Sequence, residues 1–235
     1  MKILILGHRG MLGNAVYKYL SQFHDVDTID FRWPSNEFIQ YIENYKGDFI
    51  INCIGAIPQK TNDFGINSVL PIYLDLNTRC KIIHPSTDCE IDNTLYGISK
   101  RIATDWITSY GQNTYIFKTS IIGIELNSSD SLLCWFLNQS KVHGYTQAKW
   151  NGITTLEWAK QCKHFIDNNL TELFITYGTS CISKFELLTI INDVYNCNTE
   201  IIAVDGIGKN KCLISDIKLS TIEQQLIELK EFYEN

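Results

Sequence analysis

The sequence predicts an α/β fold, a doubly wound parallel sheet followed by a small C-terminal lobe. Three observations carry this reading. Short apolar runs alternate with longer amphipathic stretches through the first half of the chain. The first run, Ile3-Leu4-Ile5-Leu6, passes directly into glycines at 7, 10 and 13. The alternation then loosens after residue 119. A sheet whose strands are joined by helices is parallel and covered on both faces, and it collects ligands at the carboxyl ends of its strands.

Taken in order, Lys2–Leu6 is an apolar strand. Met11–Phe23 follows as a helix, because Leu12, Val16, Tyr19, Leu20 and Phe23 recur at helical spacing and make one apolar face. Further strands are expected at Val26–Asp30, Asp48–Cys53, Lys81–His84 and Tyr115–Lys118, with helices at Asn36–Asn44, Ile66–Leu76 and Leu95–Tyr110. Beyond them come helices near Ser131–Asn138, Thr155–Asn168, Phe185–Tyr195 and Leu219–Tyr233, and a short strand at Thr199–Val204. Gly144 and Gly152 mark one loop, and Gly206–Lys211 another. Ser131–Leu137 reads as a buried helix face, and Ile222, Leu226, Leu229 and Phe232 as a core stripe. The expected division is a nucleotide-binding domain over residues 1–120 and a smaller substrate lobe over residues 121–235, interleaved with the first.

At 235 residues and 45% hydrophobic content, the chain buries one sizeable core. A net charge of −6 argues against nucleic acid or an anionic membrane as the main partner, while leaving room for a local phosphate site. The eight cysteines form no C-x-x-C and no Cys/His pair at metal-ligand spacing, so reduced, mostly buried thiols and no metal centre are expected. The first apolar stretch is too short for a signal peptide, and no segment approaches the ~20 apolar residues of a membrane span. A cytoplasmic protein is expected.

Gly7-His8-Arg9-Gly10-Met11-Leu12-Gly13 has G-x-x-G-x-x-G spacing between a strand and a helix. Such glycines form a tight turn, admit a pyrophosphate against the backbone, and bring helix and sheet close, while the helix N-terminus offers N–H groups to the phosphates. A Rossmann-type dinucleotide site follows, with Met11 and Leu12 in its wall. Asp30 closes the second strand where an acid binds an adenosine ribose, which favours NAD(H). Arg9 and Arg32 instead suit a 2′-phosphate. NADP(H) is weighted slightly above NAD(H).

Tyr96-Gly97-Ile98-Ser99-Lys100 places a phenol and an ammonium one helical turn apart on one face. A free phenol titrates near ~10, and an ammonium beside it, together with a bound nicotinamide, is expected to bring it down toward neutral pH. Lys100 also suits a hydrogen bond to the nicotinamide ribose. Upstream, Ile82-Ile83-His84-Pro85-Ser86-Thr87-Asp88 is a buried strand ending in hydroxyls, from which Thr87 can donate to a carbonyl as charge develops. His84 reads as a satisfied core histidine and His8 as a neighbour of phosphate. Tyr145-Thr146-Gln147 and Trp150-Asn151-Gly152 form an aromatic, amide-rich loop suited to a sugar or base, or to packing on the core.

These residues resemble the extended short-chain dehydrogenase/reductase superfamily and look most like the dTDP-4-dehydrorhamnose reductase family. The matching segments, in order, are Gly7–Gly13, Asn52-Cys53-Ile54-Gly55-Ala56, Asn67 with Pro71, Ser86-Thr87-Asp88 and Tyr96–Lys100. Phe117-Lys118-Thr119-Ser120 is similar to the family's R-T-S strand, with lysine for arginine, and Gly152-Ile153-Thr154-Thr155 to its glycine–threonine return. The loop from Lys209 to Leu219 is a fainter echo of a substrate-side segment.

The resemblance implies hydride transfer from NAD(P)H to a keto carbon of a nucleotide-linked 6-deoxyhexose. It makes Tyr96 the general acid, Lys100 its modulator and Thr87 the group polarising the carbonyl, with Ser86 second for that role. Asn52, Ile54, Gly55 and Ala56 line the cofactor groove, and Thr119, Trp150, Asn151 and Lys209 lie toward substrate. Two departures fall on the substrate side. Only Asp88–Leu95 separate Thr87 from Tyr96, where the family carries a longer loop, and Ile121 replaces the tryptophan after R-T-S. An epimerase or epimerase/reductase shares the same residues, and a non-catalytic NAD(P)-binding regulatory subunit is the reading from another class. A homodimer is left open.

Overall fold

The structure, a computed structural model, describes residues 1–234 and resolves into two compact units. One comprises Met1–Lys118 with Ala159–Ile175; the other begins at Thr119–Trp158 and resumes at Thr176. In chain order the first half runs β1 (Lys2–Leu6), α1 (Met11–Leu20), β2 (Asp25–Thr28), α2 (Asn36–Asn44), β3 (Phe49–Asn52), α3 (Ile66–Asn77), β4 (Lys81–Ser86), a 3-10 turn (Asp88–Ile91), α4 (Leu95–Tyr110) and β5 (Thr114–Lys118). There follow β6 (Ile121–Ile122), α5 (Leu132–Leu137), β7 (Lys141–Tyr145), β8 (Lys149–Trp150), β9 (Ile153–Thr154), α6 (Thr155–Asp167) and β10 (Phe174–Gly178). The chain closes with β11 (Ile182–Ser183), α7 (Lys184–Tyr195), β12 (Glu200–Val204), β13 (Ile217–Lys218) and α8 (Ile222–Glu234).

The first unit is the doubly wound sheet, ordered β10-β5-β4-β3-β1-β2. From β5 to β2 every pairing is parallel. The order reverses between β1 and β3, since β2 lies on one side of β1 and every later strand of this sheet on the other. Ligands collect at such a reversal. Apolar side chains on both faces explain why β1 and β3 read as continuous runs: Ile3–Leu6 and Ile50–Ile51 are fully buried. Of these, Leu4, Leu6 and Ile50 form one core cluster with Phe38, Ile42, Leu70 and Leu74. The helices begin where local chemistry starts them. Ser35 caps α2, Thr94 caps α4, and each accepts a hydrogen bond from a backbone N–H three residues on.

Among the boundaries that shift, two matter here. β2 stops at Thr28, so Asp30 stands beyond the strand in an exposed loop rather than at its end. α1 stops at Leu20 and leaves Phe23 half exposed against Tyr19, while Ala15, Val16 and Leu20 face the sheet.

In the second unit, β7 and β12 pair in parallel, as do β6 and β9, while β8 and β11 pair antiparallel. The core stripe on α8 is as read, with Ile222, Leu226 and Leu229 buried. Gly144 is not in a loop. It lies within β7 opposite Ala203, where a Cβ would come within 2.8 Å of the Phe185 ring, so the glycine marks close packing rather than a turn.

Cys181 and Cys212 form a disulfide, which corrects the expectation of eight reduced thiols. Their Cα atoms lie 5.8 Å apart because the start of β11 and the loop after β12 both converge on β8, through Ile182–Trp150 and Lys149–Asn210 pairing. A sequence separation of 31 residues carries no such information. Among the described residues no helix is long and apolar enough to cross a membrane.

Candidate active site

The turn after β1 is built by its own backbone. Gly7 has φ +78°, and a Cβ there would press on Ile54 and on the Cys53 carbonyl. At Gly13 a Cβ would sit 2.1 Å from the Gly7 carbonyl oxygen, so this position admits only glycine while α1 packs on the sheet. Gly10 differs. Its φ of −81° suits any residue, and its nearest neighbour to a Cβ is the Gly7 oxygen at 3.4 Å. The fold therefore has little need of a glycine at this position, which is what a ligand lying against the backbone would require.

Beside the turn is a cleft of about 380 Å³, walled by Gly7–Gly10, by Ile29–Trp33 and by Ile54 and Ile66. Arg9 and Arg32 both line it, as does Asp30. Arg9 Nη2 donates to Asp30 Oδ2 at 2.7 Å, and His8 Nε2 lies 3.6 Å from the other Asp30 oxygen. Met11 and Leu12 stand in the first turn of α1, outside the residues that wall the cleft.

The loop after β3 is fixed by two asparagines. Buried Asn52 accepts from the Ile54 N–H at 3.1 Å and meets His84 Nδ1 at 3.2 Å. Burial, with Lys100 nearby, holds His84 well below its ordinary value, so it stays neutral. Asn67, the second residue of α3, accepts from the Ala56 N–H at 2.8 Å and donates to the Ala56 carbonyl at 2.9 Å. It also donates to Ser99 of α4. Gly55 passes so close to α4 that a Cβ there would lie 3.5 Å from Lys100 Nζ. The wall of the cleft at Ile54 is thus adjacent in sequence to the residue whose added Cβ would meet the lysine.

Tyr96 and Lys100 lie on α4 as the spacing requires, and Thr87, at the head of the 3-10 turn before α4, donates its hydroxyl to Asp88 Oδ1 at 3.0 Å. Phe64 packs edge-on to the Tyr96 ring at 5.8 Å. The expectation of a lowered phenol is corrected in the free protein. Burial pushes Tyr96 up to about 12, the Cys89 thiol adds to this, and the Thr87 hydroxyl only partly opposes it. Burial likewise brings Lys100 down to about 8, against Glu90 and Cys53, which favour its charged form. At neutral pH the pair is therefore a protonated phenol and an ammonium.

Sequence reading missed Glu90. It is buried behind this pair, and its Oε1 accepts from the Ser86 and Thr104 hydroxyls. Its Oε2 accepts from Lys118 Nζ at 2.6 Å. Glu90 is one of three acids in the Asp88–Leu95 segment, with Asp88 and Asp92, and nothing in its spacing says that it turns inward. Ser86 is consequently engaged with Glu90, and Thr87 with Asp88.

The residues read as substrate-side lie in the second unit. Trp150 is buried and donates to Ser120 Oγ at 2.6 Å. Asn151 is buried too, its amide exchanging two hydrogen bonds with the Leu213 backbone. Thr119 is buried, with its hydroxyl on the Ser120 carbonyl. These three serve the packing of that unit, whereas Lys209 is exposed.

No family model and no curated protein sequence matches the chain. Solved structures do. A dTDP-4-dehydrorhamnose reductase from Clostridium acetobutylicum matches over 100% of both chains, with a TM-score of 0.78 at 16% identity. The same enzyme from Bacillus anthracis, solved in complex with NADP, covers 98% of each chain at TM-score 0.82 and 14% identity. The chain has the fold of these reductases. A UDP-N-acetylglucosamine 4-epimerase from Bacillus cereus shares it, at TM-score 0.72 and 14% identity over 100% of this chain and 97% of its own.

Within this reductase fold the short Asp88–Leu95 segment closes by close packing. Its 3-10 turn lies so tightly on the start of α4 that a Cβ on Gly97 would meet the Cys89 carbonyl oxygen at 2.3 Å. The buried lysine has a consequence for stability. A folded value of about 8 against an ordinary 10.5 means that the unfolded chain holds the proton longer, so stability rises with pH between those values and the burial cost is complete below them. From pH 7 to 9.5 the wild type should gain about 2 kcal/mol relative to Lys100→Met, measured by urea unfolding. Parallel pH dependences would contradict a buried ammonium.

Proposed function

We propose that this protein is an NAD(P)H-dependent oxidoreductase that reduces the 4-keto group of a nucleotide-linked 6-deoxyhexose, as in deoxysugar synthesis. One observation carries the reading. The glycine-walled cleft and the Thr87–Tyr96–Lys100 group meet through consecutive residues, Ile54 in the cleft wall and Gly55 against Lys100. The residues present fit a dinucleotide, because Gly10 leaves open the place where a pyrophosphate would approach the N-terminus of α1.

When bound, the dinucleotide supplies the hydride. Tyr96 is protonated at neutral pH and holds the proton for the carbonyl oxygen, which takes it as the carbon accepts the hydride and the ketone becomes an alcohol. Thr87, whose hydroxyl donates to Asp88 Oδ1 in the free protein, turns that proton to the same oxygen as its charge grows. Lys100, an ammonium beneath Gly55, orients the cofactor and favours proton release from the phenol. Lys209 is assigned toward substrate as the exposed cation of its loop.

For the cofactor, the Arg9–Asp30 pair supports NADPH over NADH. Arg9 neutralises the acid that would repel a 2′-phosphate, and Arg32 lines the same cleft. Arg9→Ala should weaken NADPH by about tenfold, the worth of one charge-assisted contact, and leave NADH nearly unchanged. Equal losses for both would remove Arg9 from the 2′-phosphate.

The deciding experiment titrates the protein with NADPH and NADH, then adds dTDP- and UDP-4-keto-6-deoxyhexoses while following reduced-nicotinamide absorbance. Oxidation by one of them supports the reductase. Interconversion of sugars without net oxidation supports the epimerase reading, whose fold the chain shares with the Bacillus cereus enzyme. Tight dinucleotide binding with neither outcome supports the regulatory subunit.

A further inference from the structure

Glu90 is 4% exposed and carries a charge into the core of the first unit. Its partners come from three other elements. Ser86 ends β4, Thr104 lies on α4, and Lys118 ends β5. A fourth tie reaches its backbone, where Arg101 Nη1 donates to the Glu90 carbonyl at 3.0 Å.

A buried ion pair is a poor device for stability, since desolvating two charges costs about as much as their attraction returns. What this pair does well is fix direction. Ser86 Oγ donates to Glu90 and in turn accepts the Thr87 N–H at 2.7 Å. Thr87 Oγ1 accepts the Cys89 N–H at 3.2 Å and donates to Asp88 Oδ1 at 3.0 Å, so the 3-10 turn that carries Glu90 starts on the Thr87 side chain. Gly97 locks the other side of the turn, because there is no space for a Cβ between it and the Cys89 carbonyl. Glu90 therefore ties the strand end that carries Thr87 to the helix that carries Tyr96, through Ser86 on one side and Thr104 and Arg101 on the other.

We propose that the Glu90–Lys118 pair is a positioning device, a buried clamp that sets Thr87 and its 3-10 turn against the start of α4, which carries Tyr96. The inference rests on the proposed roles of Tyr96 and Thr87. Neither Glu90 nor Lys118 is assigned contact with substrate or cofactor.

The test replaces both charges at once, Glu90→Leu with Lys118→Met, so that no lone charge stays buried. Two readouts are taken. The first needs no substrate: NMR of protein labelled with [13Cζ]tyrosine, in which Tyr96 is identified by the resonance lost in Tyr96→Phe. The Tyr96 resonance should move in the double variant while the other tyrosine resonances hold. The second is kinetic. NADPH affinity and KM should stay within about twofold while kcat falls by about 10²-fold, as a small misplacement of a reacting group produces.

An unmoved Tyr96 resonance, or an unchanged kcat in a turning-over enzyme, overturns the proposal. Should the double variant not fold, Glu90→Gln is read in the same two ways, because its amide can still accept from Ser86 and Thr104 but no longer pairs with Lys118. If the wild type reduces no keto sugar, the reductase reading fails, and the Tyr96 resonance alone then decides the clamp.

Discussion

Tyr96→Phe should lower turnover by about 10²- to 10⁴-fold, the range that a positioned general acid contributes, while NADPH affinity and the melting temperature stay close to wild type. The substitution removes one oxygen and keeps the ring that packs on Phe64. The loss should fall on kcat, since the phenol acts on the reacting oxygen and does not line the dinucleotide cleft. Because burial holds the phenol near 12, the wild type should keep its acid protonated throughout the neutral range. Activity retained in the phenylalanine variant would remove Tyr96 from proton transfer and favour the regulatory reading.

Gly10→Val should weaken dinucleotide binding by about 10²-fold or more and leave the fold intact, because its side chain would point where the pyrophosphate approaches the α1 N-terminus. In the protein alone the added Cβ meets only the Gly7 carbonyl oxygen at 3.4 Å, and the extended backbone at Gly10 accepts a β-branched residue. The paired control is Gly13→Ala. There the new carbon would lie 2.1 Å from backbone, so α1 must shift, and a destabilisation of about 3 kcal/mol should appear in urea unfolding. The contrast separates a glycine needed by a ligand from one needed by the fold. Unchanged NADPH affinity in Gly10→Val would sink the dinucleotide assignment.

The legible part of the site is local chemistry repeated at fixed spacing. Gly7–Gly13 were readable because a strand-to-helix turn demands them within seven residues, and Tyr96 with Lys100 because a helix turn puts both on one face. Asn67 was matched by resemblance, and the structure supplies its reason, since its amide closes on both backbone groups of Ala56. Glu90 was not readable. Its importance lies in Ser86, Thr104 and Lys118, which approach it from three elements and share no spacing with it. The raised phenol of the free protein was not legible for a related reason. The spacing shows an ammonium near Tyr96, but burial, which dominates and raises the value, depends on packing from outside the helix.

The sequence by itself determined the parallel order of elements through β5, the glycine turn and the Tyr96–Lys100 face, because strand runs, helix periodicity and turn residues act over a few neighbouring positions. Tertiary structure alone decided the two-residue strands of the second unit, which are too short to carry a period, and the packing role of Gly144. It also decided the Cys181–Cys212 bond, the burial of Trp150 and Asn151, and the inward turn of Glu90. Each of these depends on which distant segments arrive at the same place. Pairing, desolvation and close approach are properties of that meeting, and no single stretch of chain encodes it.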